Sequence, residues 1–585
     1  MGARISGSWG TGAGTPTLEV TGDGARHAGD RLEVVIDGVI FNRTELGSEP
    51  DDAALVAGLY RRHGMRGCLD RLIGDFVIAV LDTAEDVLWL ARDRFGLQPL
   101  YYTRVGQGVA FASQPGPLLG LPGVSRRPNS RFVALFAGSH YRTFDNDPHR
   151  SPYEDIAQLP GAHLLRAGAT GVHIAPYWSI EPREDLPGDE AELADEYRSL
   201  LEDAVRLRLG RFDRPAFTLS GGMDSSSVIA TAVKVSGAHH DAFSTVYKDP
   251  TFDESADIAP MLGAVVGQWH PVSVDDPDVF GLVQRMIRAH DEPVATATWL
   301  SHFQLCEHVA AQGYDVLFGG LGGDELNAGE YEYFPFHFAD LRTAGDEEQL
   351  QHELEAWVRH HDHPVHRKSR EVAEAHLRRL VDLSEPGRCL PDMDRMLRYA
   401  DALGPAAWDI TQFRPEMDMP FTSYLRNRTY QDMVRETAPC CLRAEDRHVT
   451  AFGLRRSDPF FDHRLAEFMF RVPGGMKIRD GVTKRLLREA MKGTLPDETR
   501  LRVKKTGWNA PAHQWFTGGG ADAIRDLVGS AAFRDRGIYD VDVVLRLLDE
   551  HEQIVSSGVA RENHMMFFWQ LVNLELWLRD LDTAV

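Results

Sequence analysis

Short runs of alternating apolar and polar residues fill the first 180 or so residues of the chain. Four of them are RLEVVIDGVIFN (31–42), GDFVIAVLD (74–82), DVLWLARD (86–93) and GVAFAS (108–113). A period of two is typical of strands with one buried face, and Gly and Asn between the runs favour turns. The pattern therefore predicts a β-rich N-terminal part.

The pattern changes at about residue 190. The stretch EPREDLPGDEAE (181–192) is acidic and contains two prolines, which is typical of a linker. ELADEYRSLLEDAVRLRL (192–209) then has the apolar spacing of an amphipathic helix. We therefore predict two domains, residues 1–185 and residues 186–585.

Predicted strands and helices alternate in the second domain, which indicates βαβ units and a doubly wound parallel sheet. From residue 330 onward the pattern is mostly helical. The predicted elements are PAFTLS (215–220, strand), SSSVIATAVKV (225–235, helix), DAFSTVY (241–247, strand), SADIAPMLGAVVG (255–267, helix), a long helical stretch through 312, and YDVLFGG (314–320, strand).

Composition narrows the class of protein. A net charge of −24 argues against nucleic acid as a partner, because binding to phosphates requires a basic surface. No window approaches the roughly 20 apolar residues of a membrane span. The five cysteines show neither CxxC pairing nor zinc spacing, so we expect reduced thiols in a cytoplasmic protein. They are Cys68, Cys306, Cys389, Cys440 and Cys441.

The stretch SGGMDSS (220–226) lies where a predicted strand meets a helix. Gly221 and Gly222 let the backbone approach a ligand, and the start of the helix presents unpaired N–H groups to an anion. Hydroxyl groups come from Ser220, Ser225 and Ser226. This combination suits pyrophosphate, and Asp224 beside it predicts Mg²⁺. The alternative is an ordinary serine-rich helix N-cap.

A second glycine-rich turn follows a later strand of the same predicted sheet. It is VLFGGLGGDEL (316–326), with the acids Asp324 and Glu325. Alone it would be a weak signal, but the two turns together could hold one Mg²⁺–pyrophosphate group from both sides.

These segments resemble a known family. SGGMDSS looks like the PP-loop of ATP pyrophosphatases, and the wider pattern resembles the asparagine synthetase family. The other similar segments are DGVIFNRTEL (37–46), ARDRFGLQPLYY (91–102), FAS (111–113), FDES..D (252–257), DEP (291–293), GLGGDEL (320–326), EDRHVTAFGLRRSDPFFDHRLAEF (445–468), GVTKRLLREAM (481–491) and RVKK (502–505).

The resemblance implies an α/β protein. Its N-terminal domain would be an α+β sandwich of the Ntn-hydrolase type, here a degenerate glutaminase. Its C-terminal domain would be a PP-loop synthetase with a doubly wound parallel sheet and helical additions. The family uses ATP and Mg²⁺ to convert a carboxylate into an acyl-adenylate, and an amine then displaces AMP.

The resemblance also implies roles for individual residues. Asp224 and Asp324 would bind Mg²⁺, and Lys504 or Lys505 would be the catalytic lysine, with Glu445, Asp446 and Arg447 as weaker candidates. The pyrophosphate end of ATP would contact Ser220, Gly221, Gly222, Asp224, Ser225 and Ser226, and the adenosine would contact the backbone near Leu219, Val246, Gly319 and Gly320.

The sequence departs from the family's glutaminase pattern. The chain starts Met1-Gly2-Ala3-Arg4, without the cysteine nucleophile that follows Met in glutamine-dependent members. Asp37 stands where the family has the asparagine of its oxyanion site. We expect a domain that keeps its fold and has lost its reaction.

The synthetase part departs too. Leu321 replaces a polar substrate-facing residue, which is Glu in asparagine synthetases and Tyr in β-lactam-forming relatives. Residues 327–444 form an enlarged region that could hold a substrate bigger than an amino acid. Its histidines could bind a metal or lie on a helical surface; they are His352, His360, His361, His363 and His366.

These departures fit the lasso peptide cyclases best. Such an enzyme adenylates an Asp or Glu side chain of a precursor peptide, and the peptide's own N-terminal amine closes an isopeptide ring. The expected partners are the precursor peptide and, by the resemblance, a leader-binding protein and a leader peptidase. Three alternatives remain open: a β-lactam synthetase-like enzyme, an amidotransferase that uses free ammonia, and a non-catalytic scaffold.

Overall fold

The computed structural model describes residues 4–10, 17–20, 24–360, 368–504, 510–559 and 561–583. Eleven strands in the N-terminal part pair into two antiparallel sheets, in the orders β2-β1-β8-β7-β9 and β11-β10-β6-β5-β4-β3. The strands are β1 (Ile5–Trp9), β2 (Thr17–Val20), β3 (Ala25–Gly29), β4 (Leu32–Ile40), β5 (Gly74–Asp82), β6 (Val87–Arg92), β7 (Tyr101–Val105), β8 (Gly108–Ala112), β9 (Ala157–Gln158), β10 (His163–Gly168) and β11 (Gly171–Pro176).

The two sheets pack face to face and carry helices on their outer faces. Val35 and Leu90 of one sheet share a core with Ile5 and Phe111 of the other. The helices are α1 (Arg43–Leu46), α2 (Asp52–Leu69), α3 (Pro115–Leu119) and α4 (Ser130–Gly138). Helix α2 covers the six-stranded sheet and α4 covers the other. The predicted α+β sandwich is confirmed, and the predicted strands correspond to β4, β5, β6 and β8.

The second domain is built on five parallel strands in the order β14-β13-β12-β15-β16. The predicted doubly wound sheet is confirmed, with strands at the three predicted positions. The strands are β12 (Pro215–Thr218), β13 (His240–Val246), β14 (Val266–Ser273), β15 (Val316–Phe318) and β16 (Arg455–Ser457).

Two strands contradict the sequence prediction. Residues 266–273, which we expected to be helical, form the edge strand β14, and β16 lies in a region expected to be mostly helical. Met261 is buried just before the helix of residues 255–262 ends, and Val265–Val266 are buried just after it. These apolar residues suggest one continuous helix, but the chain turns between them. Because β14 is an edge strand, most of its residues are partly or fully exposed.

Twenty helices accompany this sheet. They are α5 (Glu190–Leu209), α6 (Met223–Ser236), α7 (Ser255–Leu262), α8 (Val279–His290), α9 (Thr298–Ala311), α10 (Gly323–Asn327), α11 (Phe334–Thr343), α12 (Glu347–His360), α13 (Arg370–Leu380), α14 (Met393–Met396), α15 (Tyr424–Val434), α16 (Thr437–Ala451), α17 (His463–Met469), α18 (Arg485–Ala490), α19 (Asp497–Arg500), α20 (Ala512–Trp515), α21 (Gly519–Gly529), α22 (Ala531–Arg536), α23 (Val541–Ser557) and α24 (Met565–Thr583).

The region 327–444 has a hydrophobic core of its own. Tyr333, Phe338, Leu354, Trp357 and Tyr424 are buried together where α11, α12 and α15 pack. This core begins at Ala328, directly after α10. The region therefore extends the domain beside the second glycine-rich turn.

The two domains share buried surface. The indole of Trp577 in α24 packs edge-on against Tyr153 of the first domain, with ring centroids 5.6 Å apart. All five cysteines are unpaired, as the sequence predicts. Within the described residues, no helix is long and apolar enough to cross a membrane.

Candidate active site

The two glycine-rich turns meet at the switch point of the parallel sheet. From the central strand β12 the chain moves outward to β13 and β14, and then returns to the other side of β12 as β15. Crevices form where strand order reverses in this way, at the carboxyl ends of the strands. The turns after β12 and β15 lie at that edge, next to one another.

The first turn leads directly into α6, whose N-cap is Gly222. The Ser225 hydroxyl accepts from the Ser220 amide at 3.0 Å, and the two serine hydroxyls lie 2.9 Å apart. The Ser220 hydroxyl also accepts from the Gly222 amide at 3.1 Å. These bonds shape the turn so that a helix start faces the crevice, which suits an anion.

Glycines allow the second turn to touch the first. A Cβ on Gly320 would lie 2.6 Å from the backbone nitrogen of Ser225, and one on Gly323 would lie 2.4 Å from Oδ1 of Asp224. Neither contact is sterically allowed, so only glycine permits this approach.

The two acids of these turns share a cation. The ammonium group of Lys484, at the start of α18, donates to Oδ2 of Asp224 and lies 2.7 Å from Oδ1 of Asp324. The carboxylates are 15% and 25% exposed, and the Lys484 side chain only 5%. The sequence analysis missed Lys484, although the segment GVTKRLLREAM that carries it had been recognised.

The same geometry fits a magnesium site. Two carboxylates that contact one ammonium nitrogen present oxygens to a common point, and carboxylate oxygens are the ligands that Mg²⁺ prefers. Asp224 and Asp324 would hold the ion against a pyrophosphate seated on the first turn. There Mg²⁺ would neutralise phosphate charge.

Two arginines add positive charge beside the first turn. Arg502 forms an ion pair with Asp257 at 2.9 Å, and its Nη2 lies 3.0 Å from where a Gly221 Cβ would be. Burial lowers the pKa of Arg488 to about 10, while the charge of Asp224 acts in the opposite direction. In a chain of net charge −24, these cations mark a local site for an anion.

The residues expected near adenosine lie at the ends of three neighbouring strands. Leu219 follows β12, Val246 ends β13 and Gly319 follows β15. The Leu219 amide donates to the carbonyl of Phe243 at 2.9 Å, and the Gly319 amide donates to the carbonyl of Ser457 at 3.0 Å. The structure therefore groups them along one edge of the sheet.

Two other predicted residues are less accessible. Ser226 is fully buried in α6, and its hydroxyl has no hydrogen-bond partner in the part of the chain that the structure describes. Leu321 is half-buried and packs against the core that includes Phe217 and Phe318. Its apolar character thus has a packing role in addition to any contact with substrate.

Glu445 lies on the opposite side of the second turn from Asp224. Its Oε1 is 3.3 Å from where a Gly319 Cβ would be, and Oδ1 of Asp458 is 2.7 Å from that point. Arg456 contacts both acids, at 3.4 and 2.8 Å. Burial, followed by the charge of Asp458, raises the pKa of Glu445 well above its ordinary value.

Lys504 and Lys505 are the two candidates for the catalytic lysine, and the side chain of Lys504 is exposed. Lys505 lies outside the described residues. Asp446 and Arg447 are buried neighbours of Glu445 on α16; Arg447 donates to the carbonyl of Ser113 in the first domain at 2.9 Å.

Comparison with known proteins decides the family. The asparagine synthase family model matches residues 196–579, more than half of the chain. The chain belongs to the asparagine synthetase family. A second model, the glutamine amidotransferase domain, matches residues 25–178.

Its relatives are distant but similar over most of their length. Asparagine synthetase 3 of Bacillus subtilis, described as glutamine-hydrolysing, is 25% identical over 86% of this chain and 79% of its own. A putative asparagine synthetase of Mycobacterium bovis is 25% identical over 95% and 85%. Amidase chyE of Penicillium rubens is 25% identical over 89% and 84%.

Membership in this family makes the protein an ATP-dependent, AMP-forming ligase that makes amide bonds with Mg²⁺. Asp37, which the resemblance assigns to the position of the family's oxyanion asparagine, is 2% exposed and forms an ion pair with Arg455 of the synthetase sheet at 2.9 Å. Arg4 lies 3.6 Å from the same oxygen.

The histidine-rich segment gives no support to a metal site. His352 and His360 lie on α12, and His352 contacts Asp480 at 2.7 Å near the surface. His361, His363 and His366 lie outside the described residues. In the part of the chain that the structure describes, no group of three His, Cys, Asp or Glu residues could hold a metal ion.

Proposed function

We propose that this ligase is a macrocyclase of the lasso peptide type. It would adenylate an Asp or Glu side chain of a precursor peptide and join that carboxyl to the peptide's N-terminal amine as an isopeptide bond. AMP and pyrophosphate would leave. The observation that carries the proposal is the enlarged helical region, whose own core starts directly after the turn that bears Asp324.

That region supports a substrate larger than an amino acid. It packs against the second glycine-rich turn, since α10 contacts α15. Holding two ends of one peptide together makes ring closure effectively unimolecular, which is worth several kcal/mol of the barrier. A small substrate such as aspartate needs no additional helical region for this.

Two features favour an amine other than glutamine-derived ammonia. The Asp37–Arg455 ion pair puts charge where the family's glutaminase binds an oxyanion, and a carboxylate would repel that oxyanion. Leu321 removes the polar side chain that small-substrate relatives carry at this position. Both differences agree with an amine that arrives as part of the peptide.

In this proposal the cationic residues of the site contact phosphate, and the acidic residues bind the metal. The first turn, with Ser220, Gly221 and Gly222, would hold the pyrophosphate end of ATP, and Lys484, Arg488 and Lys504 would balance its growing charge. Asp224 and Asp324 would hold Mg²⁺. The precursor carboxylate would attack the α-phosphate across the crevice.

Glu445 is our candidate for accepting the proton of the attacking amine. It lies beside Gly319 at the edge of the crevice, and a carboxyl with a raised pKa is suited to proton transfer near neutral pH. His302, whose Nε2 lies 3.9 Å from Glu445 Oε1, and Arg456 would orient it.

The test supplies the protein with ATP, Mg²⁺ and linear peptides that carry one Asp or Glu at successive positions. The proposal expects AMP together with a peptide product lighter by one water, for some position of the acid. A peptide with an acetylated N-terminus should give no cyclic product. The reactions are run with and without a leader-binding protein and a leader peptidase. The proposal includes both proteins as partners and assumes a cytoplasmic pathway.

Other outcomes assign other functions. AMP formation with free aspartate and ammonium, and with no peptide, would make the protein an ammonia-using amidotransferase like its asparagine synthetase relatives. Closure of a four-membered ring on a small amino acid would make it β-lactam-forming. Release of no AMP with any substrate would point to a scaffold.

A further inference from the structure

Lys484 stands between the two acids that would bind magnesium. Its ammonium group contacts Asp224 and lies 2.7 Å from Asp324, which is where a divalent ion would meet both carboxylates. The side chain is 5% exposed, so it is held in the crevice rather than lying over it. A lysine and a magnesium ion cannot occupy this point together.

The backbone is shaped to hold the lysine there. Lys484 has φ 58°, in the left-handed region that a non-glycine residue adopts only at an energetic cost. Opposite it, a Cβ on Gly329 would lie 2.2 Å from Lys484 Cε and 2.1 Å from Asp324 Oδ1. The strained backbone of Lys484 and the absence of a side chain at Gly329 together indicate that the structure holds this ammonium group in a defined position.

On the side of the site that would bind pyrophosphate, carboxylates of the chain itself occupy the cationic and N–H groups in the same way. The Gly221 amide of the first turn donates to Oε2 of Glu254 at 3.4 Å. Arg502 contacts Asp257, one helical turn further on. Carboxylates thus contact the groups that would bind pyrophosphate, while Lys484 contacts those that would bind the metal.

We propose that Lys484 is an internal counter-ion that keeps free divalent cations out of the site until they arrive with ATP. Mg²⁺ bound to nucleotide brings phosphate oxygens with it. Lys484 can then exchange its two carboxylates for those oxygens, and the acids become available to the metal. Mg²⁺ alone offers the ammonium group no phosphate oxygens in exchange for the two carboxylates that it would give up.

Electrostatics decide the order of binding. Moving the Lys484 ammonium group away from two partly buried carboxylates is costly, unless a new anion takes the place of those carboxylates beside the ammonium group. Binding of metal and nucleotide should therefore be strongly coupled, each raising the affinity of the other by the same factor. This inference rests on the family's use of ATP and Mg²⁺, and not on the identity of the amide acceptor.

The test measures Mn²⁺ binding by electron paramagnetic resonance, with Mn²⁺ in place of Mg²⁺, in the full-length protein without any peptide. Titrations are made with and without α,β-methylene-ATP. The variants are Lys484→Met and Lys484→Gln, which remove the charge, and Lys484→Arg, which keeps it. Lys492→Met removes an exposed lysine that pairs with Glu489 and serves as the matched control.

Without nucleotide, we expect the neutral variants to bind Mn²⁺ at least tenfold more tightly than the wild type, and Lys484→Arg and Lys492→Met to match the wild type. The gain should disappear when Asp224→Asn is added. The neutral variants should also bind the nucleotide more weakly and lose most of its coupling to Mn²⁺. If Met and Gln both fail to fold, the dependence of wild-type Mn²⁺ binding on nucleotide still tests the coupling.

Unchanged or weaker Mn²⁺ binding by folded Lys484→Met or Lys484→Gln would overturn the inference. So would a gain that survives Asp224→Asn, or wild-type Mn²⁺ affinity that does not depend on nucleotide. None of these results bears on which amide the enzyme makes, because no acceptor is present in the experiment.

Discussion

Asp37 and Arg455 form a buried ion pair across the domain boundary, with Arg455 Nη1 2.9 Å from Asp37 Oδ1. Asp37 lies in β4 of the glutaminase-like sandwich and is 2% exposed, and Arg455 begins β16 of the synthetase sheet and is 7% exposed. This ion pair therefore joins the two domains.

Replacement of Arg455 by Met should destabilise the protein. It would leave the Asp37 carboxylate buried with its closest cation gone, which costs about 3–5 kcal/mol for a buried pair. Thermal unfolding should show a clearly lower Tm. Arg26→Met is the control, because its ion pair with Glu33 is half-exposed and contributes about 1 kcal/mol or less.

The double variant Asp37→Asn/Arg455→Met should recover part of this loss, since residue 37 then carries no buried charge that needs Arg455. If Arg455→Met were as stable as the wild type, the pair would have no role in holding the domains together.

Glutamine should support no reaction. By the resemblance, Asp37 puts a carboxylate where the family has its oxyanion-binding asparagine; a carboxylate repels a negative oxygen and also takes up the charge of the nearby Arg4 and Arg455. Incubation with ATP, Mg²⁺ and glutamine should release no glutamate above the level of a blank without protein. Measurable glutamate release would show that the domain is still active.

Asp224→Ala and Asp324→Ala should each reduce AMP formation by more than about 100-fold, because the metal that neutralises phosphate charge loses a ligand. Both side chains are partly exposed at the crevice, so thermal stability should change little. Asp195→Ala, at an exposed ion pair on α5, is the matched control. Normal turnover in either variant would remove that acid from the site.

Lys504→Ala should lower kcat by about 100-fold without destabilising the fold. The side chain is exposed in the structure, and we expect it to contact phosphate oxygens when ATP is bound. Steady-state AMP formation measures this, with Lys492→Ala, 66% exposed and paired with Glu489, as the control. Full activity of Lys504→Ala would leave Lys484 and the arginines as the cations of the site.

Lys477 should make stability depend on pH. It is 1% exposed and its ammonium group has no hydrogen-bond partner among the described residues. Burial, aided by the charge of Arg426, lowers its pKa from 10.5 to about 7. Between these two values the unfolded chain binds a proton that the folded chain does not, so stability rises with pH by up to about 1.4 kcal/mol per unit.

Lys477→Met should stabilise the protein most at pH 7 and below, where the folded state otherwise carries a buried charge, and should flatten the dependence above pH 7. Urea unfolding at a series of pH values tests this. Arg426→Met provides a comparison, because it should raise the Lys477 pKa and weaken the slope. An unchanged slope in Lys477→Met would mean that this lysine titrates as it does in water.

The sequence by itself determined the local elements and the identity of the two turns. Strand β5 lies at residues 74–82, as predicted. The prediction succeeds because the pattern of apolar residues along a strand is a local property of the sequence. The glycines of SGGMDSS and GLGGDEL could be recognised because backbone approach requires them wherever the chain leads. The fold class and the family followed from these motifs and their order.

Only the tertiary structure decided which distant residues meet. Lys484 is 260 positions from Asp224, and Arg455 is 418 positions from Asp37. Sequence periodicity reports which face of an element is buried, but it contains nothing about which charge will lie opposite. A lysine in an amphipathic segment has the same local pattern whether water or two carboxylates surround it, so its partner exists only once the chain has folded.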